Sequence, residues 1–489
     1  MASSDPYLAL DIGAGNGRAT LGVLYENRIE LQEIHRFENR PVMLNGTLYW
    51  DLLFLWDNVV HSLKRATASG FSRLSGIGID TFNCDFGLLD CRGNLLSNPL
   101  SYRDRGSASA LEDIQEKIDE HELYEITGVG YMSITALARF VYMRKTFGHW
   151  YLDNAATYLP LSDLFRSFLT DRKESEETIL WGSQLVDIRT RQWHPKLIDL
   201  FDIPGALLPD IVQPGTVRGG LKDAVEQETG VKATPVIAVA GHDTISASVS
   251  FTNRAVDAAF VSIGTWSILG ILLPGPETGP EAYRRGFLNE IGVDSILFAK
   301  NLMGFYLLEA LIQSWKMREI DTTYERLIEE ASIAPEFALS IDVNDPVFFS
   351  ALNMEETLNA YLHASGQRVT DEIGILVRSI LESFARSYAR TIEDLEKIFK
   401  TRVARLTVLG GGVRNQLLCQ MIADAADVKV LTGPAEATAM GNIGMQILAT
   451  GALDSIDALH PVMERSSVRK IFRPENHDTW KEQAAGKEA

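Results

Sequence analysis

The sequence predicts an α/β protein of two domains, and three observations carry that expectation. The chain has 489 residues, more than one hydrophobic core normally serves. Its opening segment, residues 7–25, is an apolar run, a glycine-rich turn, and a second run in which Ala19, Leu21, Val23 and Tyr25 alternate with other residues. That is the pattern of strand, tight turn, strand. The same design returns at residues 258–273, where two apolar runs flank Gly264 and Thr265. This repeat is one of structure without real sequence identity, and it places a domain boundary near residue 243.

The remaining elements follow in order. Glu26 and Asn27 turn the chain toward a third strand around Ile29 to Ile34, completing a meander. Leu52, Leu55, Val59 and Leu63 recur at helical spacing and predict a surface helix. Residues 74–80 read as a buried strand ending in an acid, Asp80. From about 108 to 231 helical patterns alternate with loops and resist parsing. A strand beginning at Pro235 leads into Gly241, His242 and Asp243. Residues 373–399 form a long amphipathic helix on the period of Val377, Leu381, Phe384, Tyr388, Ile392, Leu395 and Phe399. A strand at 405–409, the glycines 410–412 and a helix from about Asn415 come next, and the polar tail from Lys481 is expected to fray.

Composition narrows the function. Apolar residues make up 46% and charged residues 23%, an ordinary globular balance. A formal charge of -19 argues against nucleic acid or anionic membrane as a partner. An anionic nucleotide can still bind where backbone N–H groups or a metal ion overcome the global field. Cys84, Cys91 and Cys419 form no C-x-x-C pair, so a reducing compartment is expected. The nine histidines show no zinc-ligand spacing. No basic and apolar leader opens the chain, and glycines and hydroxyls interrupt residues 258–273. Neither a signal peptide nor a membrane span is expected, and a cytoplasmic location is.

Four segments can carry chemistry. In the first, Asp11 precedes Gly13-Ala-Gly-Asn-Gly-Arg18. Glycines let a turn approach phosphate, and a strand-end carboxylate can hold Mg²⁺ beside it. The spacing is neither G-x-G-x-x-G nor a Walker A loop, and a strand follows where those motifs need a helix. The plainer reading is an ordinary hairpin. The second is Val261-Ser-Ile-Gly-Thr-Trp-Ser267, another hairpin with hydroxyls at its tip. The third is Gly241-His-Asp-Thr244. A strand-terminal Asp suits a base that deprotonates an alcohol during phosphoryl transfer. Taken alone, Asp243 reads as a helix N-cap. The fourth is Gly410-Gly-Gly-Val-Arg-Asn415, a turn able to take a nucleotide against bare backbone or simply to connect strand and helix.

Together and in this order the segments resemble the FGGY carbohydrate kinases, over nearly the whole chain. Several stretches resemble the rhamnulokinase branch of that family: His35-Arg-Phe-Glu-Asn-Arg-Pro41, Tyr49-Trp-Asp51, Gly78-Ile-Asp-Thr-Phe-Asn-Cys-Asp-Phe-Gly87, Asn98-Pro-Leu-Ser-Tyr-Arg-Asp104, Gly241-His-Asp-Thr244, Lys300-Asn-Leu-Met-Gly304 and Gly433-Pro-Ala-Glu-Ala-Thr-Ala-Met-Gly-Asn442. The resemblance implies two ribonuclease-H-like (actin-like ATPase) domains around a deep cleft that closes on substrate. Residues 1–242 would mainly bind sugar and 243–489 mainly ATP. It implies transfer of the ATP γ-phosphoryl group, with Mg²⁺, to the 1-hydroxyl of L-rhamnulose. Asp243 would accept the proton, and Asn83, Asp85, His242, Thr244 and Asn301 would touch the sugar. Ala14, Gly15, Asn16, Gly17, Arg18, Thr265, Glu309, Gly411, Gly412 and Asn415 would hold ATP, with Asp11 near the metal.

The chain departs from that branch mostly on the sugar side. Asn83 stands where the pattern has a glycine, Glu309 where it has a glutamine near ATP, and residues 134–139 and 287–292 differ from it as well. Two alternatives stay open: an L-fuculokinase-like ketose specificity, and a non-catalytic sugar or nucleotide sensor of the same fold.

Overall fold

Tyr7–Ile12 is buried at all six positions, Asp11 included, as the apolar run Tyr7 to Leu10 requires of an inner strand. The computed structural model describes residues 5–251, 255–349, 351 and 353–485. The chain divides into two units, one from Met1–Thr252, Leu273–Phe298 and Ala437–Ser466, the other from Asn253–Leu272, Ala299–Glu436 and Ser467–Ala489.

In the first unit Tyr7–Ile12 pairs antiparallel with Asn16–Tyr25, which pairs antiparallel with Arg28–Glu38. On its other side it pairs parallel with Gly76–Thr81, followed by Pro235–Ala238 and the antiparallel edge strand Thr216–Gly220. The register sets Asp11 opposite Arg18 on one neighbour and Asp80 on the other. Helix Leu52–Ala68 begins where Asp51 accepts the Phe54 N–H at 3.1 Å, and it buries Leu52, Leu55, Val59 and Leu63. Helix Ala437–Ala449 lies against the strands, where Gln446 Nε2 donates to the Leu8 carbonyl at 3.0 Å. The middle of the chain has a separate apolar cluster around Phe86, Phe140, Tyr158 and Trp181. Residues 177–183 there form a buried 3₁₀ turn with no exposed face, which leaves no period to read in the sequence.

The second unit repeats the plan. Ala258–Ile263 and Trp266–Leu273 make the antiparallel hairpin, and Arg405–Leu409 runs parallel to the first of them. Lys429–Thr432 is parallel to Arg405–Leu409, and Ile471–Phe472 closes the edge antiparallel. Ile373–Phe399 is one helix of 27 residues with Val377, Leu381, Phe384 and Tyr388 buried. The ribonuclease-H-like plan therefore occurs twice, hairpin first and parallel strands after it. The polar tail is ordered further than expected: His477–Ala485 is helical, because Trp480 is buried in an edge-to-face contact with Phe337. No helix among the described residues is long and apolar enough to cross a membrane.

Candidate active site

In the first unit the glycine-rich turn joins two strands whose pairing is continuous up to Ile12 and Gly17. Its carbonyls are fastened from outside: Asn39 Nδ2 donates to Gly13 at 2.8 Å, the Asn39 N–H to Gly15 at 3.1 Å, and Arg103 Nη2 to Ala14 at 3.3 Å. A side chain on Gly17 would collide with the Phe37 ring at 2.1 Å, so close packing demands glycine there. Gly15 and Asn16 are exposed. Asp11, nearly buried, lies 3.6 Å from Arg18. Asp80 beside it is fully buried and accepts a 2.5 Å hydrogen bond from Asn442 Nδ2. Burial, then the Asp11 charge, pushes the Asp80 carboxyl well above the usual range, against the Asn442 hydrogen bond.

The turn after Gly76–Thr81 carries two predicted sugar residues, in different surroundings. Asn83 Oδ1 accepts the Cys84 N–H at 2.5 Å, with Cys84 itself at φ 76°. Asn83 Nδ2 is buried and has no hydrogen-bond partner among the described residues. The Asp85 carboxylate is taken up by Arg139, by Trp50 Nε1 at 2.5 Å and by the Tyr102 N–H at 3.3 Å. Burial raises its pKa, and the Arg139 charge opposes that rise.

Helix Asp243–Val249 starts one residue earlier than a capping Asp243 would require. His242 occupies the cap position, and no side-chain hydrogen bond caps the helix. Asp243 is thus the first helical residue, its side chain 29% exposed. Its Oδ1 accepts the Thr244 N–H at 2.6 Å and lies 3.3 Å from His242 Nε2. The turn before it is pinned by Glu176, whose Oε2 accepts the Gly241 N–H at 2.8 Å and the Thr178 hydroxyl at 2.6 Å. Burial pushes the Glu176 carboxyl up to about 8 despite those donors. His242 Nδ1 lies 3.2 Å from Glu290 Oε2, and Trp181 Nε1 is 3.3 Å from the same nitrogen. The first unit thus brings together Asn83, His242, Asp243 and Thr244 with Glu176, Trp181 and Glu290, which the sequence reading did not assign. Glu290 had a readable signal: an acid inside the strand Leu288–Gly292, where burial is costly unless the charge is used.

The second unit holds the other predicted nucleotide residues. Gly264 and Thr265 form the hairpin tip, and their carbonyls accept from the Phe305 and Tyr306 N–H groups at 2.8 and 3.1 Å. Thr265 Oγ1 and Glu309 Oε2 are 3.5 Å apart. Glu309 is solvent-exposed on one side, yet the surrounding protein raises its carboxyl above the usual range, opposed by the Thr265 hydroxyl. Asn301, a predicted sugar residue, is exposed on strand Ser295–Met303 and belongs to this unit. Gly410, at φ 73°, opens the turn that exposes Gly411. Asn415 caps helix Gln416–Ala426 by accepting the Leu418 N–H at 2.9 Å, and its Nδ2 is buried with no partner among the described residues. No group of three or more His, Cys, Asp or Glu among the described residues is placed to hold a metal ion by itself.

Comparison with known proteins agrees with this doubled architecture. The N-terminal domain of the FGGY family of carbohydrate kinases matches residues 6–250, and its C-terminal domain matches residues 259–450. A rhamnulokinase of Bacteroides thetaiotaomicron is 34% identical over 475 residues, covering 97% of each chain. One of Enterococcus faecalis is 33% identical over 471 residues, covering 96% of this chain and 94% of its own. The crystal structure of a ligand-bound xylulose kinase from Lactobacillus acidophilus superposes with a TM-score of 0.81 at 15% identity, over 98% of this chain and 96% of that one. A Plasmodium falciparum glycerol kinase with ADP gives 0.77 at 16% identity, over 99% and 96%. At such identities these structures speak for the fold alone. Two domain matches in order, on a ribonuclease-H-like plan that occurs twice, establish that this chain belongs to the FGGY family of carbohydrate kinases.

Proposed function

We propose that this ATP-dependent sugar kinase phosphorylates the 1-hydroxyl of L-rhamnulose, with Asp243 as the base. The observation that carries the base assignment is the setting of Asp243: a carboxylate part open to solvent, at a helix start, aimed by His242 and by the pinned Gly241. The ketose assignment draws on the rhamnulokinase relatives, which match the chain almost end to end.

Asp243 takes the hydroxyl proton as the sugar oxygen forms its bond to the γ-phosphorus. The bond from that phosphorus to the β-phosphate oxygen breaks, and ADP leaves with the electron pair. His242, Thr244, Asn83 and Asn301 orient the sugar. Asp85, with its oxygens engaged, shapes the wall behind it. Ala14 to Arg18, Thr265, Glu309, Gly411, Gly412 and Asn415 bind the nucleotide. Residues 1–242 act mainly on sugar and 243–489 mainly on ATP.

Mg²⁺ would supply charge neutralisation at the phosphates. A hard cation that arrives with them fits Asp11, a carboxylate at a strand end; Asp80 beside it is fully buried and already bonded to Asn442. Asp11→Asn should raise the Mg²⁺ concentration for half-maximal turnover, and an unchanged requirement would remove Asp11 from that role. Three free cysteines among the described residues and the need for ATP support a cytoplasmic location.

The test of the sugar is an ATP-consumption assay over L-rhamnulose, L-fuculose, L-xylulose and L-ribulose. The highest kcat/KM is expected with L-rhamnulose. A preference for L-fuculose would move the assignment, and no turnover with any of the four would end it.

A further inference from the structure

Glu290 is 1% exposed, and neither of its oxygens accepts a hydrogen bond among the described residues; its nearest cationic neighbour is His242, within ion-pair distance. An ionised carboxylate left that way is costly. His242, itself buried, lies between two carboxylates: Nδ1 3.2 Å from Glu290 Oε2 and Nε2 3.3 Å from Asp243 Oδ1.

Neutral imidazole carries one N–H and can serve only one of them; imidazolium carries two and serves both. In the structure the Trp181 indole N–H donates to Nδ1 at 3.3 Å, the arrangement of a neutral ring. While Nδ1 accepts from Trp181, Glu290 has no donor at all. A charge-assisted bond to a buried carboxylate outweighs a neutral one from indole, which favours a protonated Nδ1 that gives up Trp181 for Glu290, 3.2 Å away.

We propose that Glu290 is a positioning residue for the base: it holds His242 as an imidazolium whose second N–H clamps Asp243. The inference rests on reading Asp243 as the base and extends it to a residue two strands of sequence away. Burial opposes a charge on His242, but the Glu290 hydrogen bond and charge, and then the Asp243 charge, more than offset it, so the pKa is raised above 6.5. The other ionisable groups facing this cluster are Asp80 and Tyr102 toward Asp243, and Cys84 toward Glu290. Clamped by imidazolium and by the Thr244 N–H, the Asp243 side chain is held in one rotamer, ready to accept the sugar proton.

The test uses the full chain with ¹⁵N-labelled histidine, without substrate, and a His242→Asn variant to assign the ring signals. The wild type should show His242 doubly protonated at pH 6.5, and Glu290→Gln should lower its titration midpoint by more than one pH unit. In the same variant kcat should fall about 10–100-fold, with the alkaline limb of kcat/KM moving to lower pH. A singly protonated His242 at pH 6.5 in the wild type overturns the proposal even if Glu290→Gln fails to fold. An unmoved titration in a folded Glu290→Gln does the same. Asp243→Asn separates the two readings. If it is inactive while Glu290→Gln changes nothing, only the clamp fails; if it turns over like the wild type, the base assignment falls and the clamp with it.

Discussion

Asn442 Nδ2 donates to Asp80 Oδ2 at 2.5 Å across 362 positions of sequence. Gln446 Nε2 in turn donates to Asn442 Oδ1 at 2.7 Å, so the helix Ala437–Ala449 presents an oriented amide to a buried acid at the end of a central strand. Removing the donor leaves a buried carboxyl without its hydrogen bond. Asn442→Ala is therefore expected to lower the unfolding free energy by about 1–3 kcal/mol. Urea denaturation reads this, and a variant as stable as the wild type would show that the bond contributes nothing.

A second expectation concerns the buried Asp85–Arg139 pair. Both side chains are at most 1% exposed, and Arg139 Nη1 also donates to the Cys84 carbonyl at 2.9 Å. Breaking such a pair strands a charge. Arg139→Leu should cost roughly 3–5 kcal/mol, far more than loss of any exposed ion pair such as Lys64–Glu228. Thermal unfolding of Arg139→Leu beside Lys64→Ala makes the comparison, and equal losses would contradict it.

What the sequence made legible divides along the same line. Residues 373–399 and 405–409 are read with the bounds the structure has, because each is one uninterrupted period over an apolar face. The hairpins and the Gly241 to Thr244 turn are legible for a similar reason: glycine and chain reversal leave a local mark. Glu176, Glu290 and Asn442 are not, since each acquires its role from a partner 65, 48 or 362 positions away: Gly241, His242 or Asp80. The segment 108–231 is opaque because several of its helices span only five to eight residues, too few to set a period, and its buried 3₁₀ turn has no solvent face. Asp243 lies between these cases. Its position is plain from the motif, but the cap role that sequence alone suggests falls to His242.

Glu176 gives a pH expectation with a definite sign. Its folded carboxyl is pushed up to about 8 from an ordinary 4.5, so folding favours the protonated form. That contribution is complete below about pH 4.5 and is lost as pH rises toward 8. Glu176→Gln cannot ionise and should lose no stability over this window on its account. The wild type should therefore lose ground to the variant between pH 5 and 8.5 in urea midpoints. A constant difference would mean that Glu176 is already ionised at pH 5.

If the proposed sugar site is right, Asn83 is the residue through which to test sugar choice. Its Oδ1 holds the Cys84 N–H, and the backbone of residue 182 comes so close that an added Cβ there would lie 2.3 Å from that oxygen; Gly182 makes the room. The amide is therefore fixed, while Nδ2 remains a buried donor without a partner among the described residues. A buried polar donor of this kind discriminates strongly between ligands that can and cannot accept its bond. Asn83→Gly removes the donor and opens space. It should change the ratio of kcat/KM between two ketoses differing at one hydroxyl by about tenfold, equivalent to one hydrogen bond of ~1.4 kcal/mol. The nucleotide KM should stay unchanged, because the residues proposed to bind ATP lie elsewhere in the chain. Uniform loss over all ketoses would instead make Asn83 a support for Cys84, with no part in specificity.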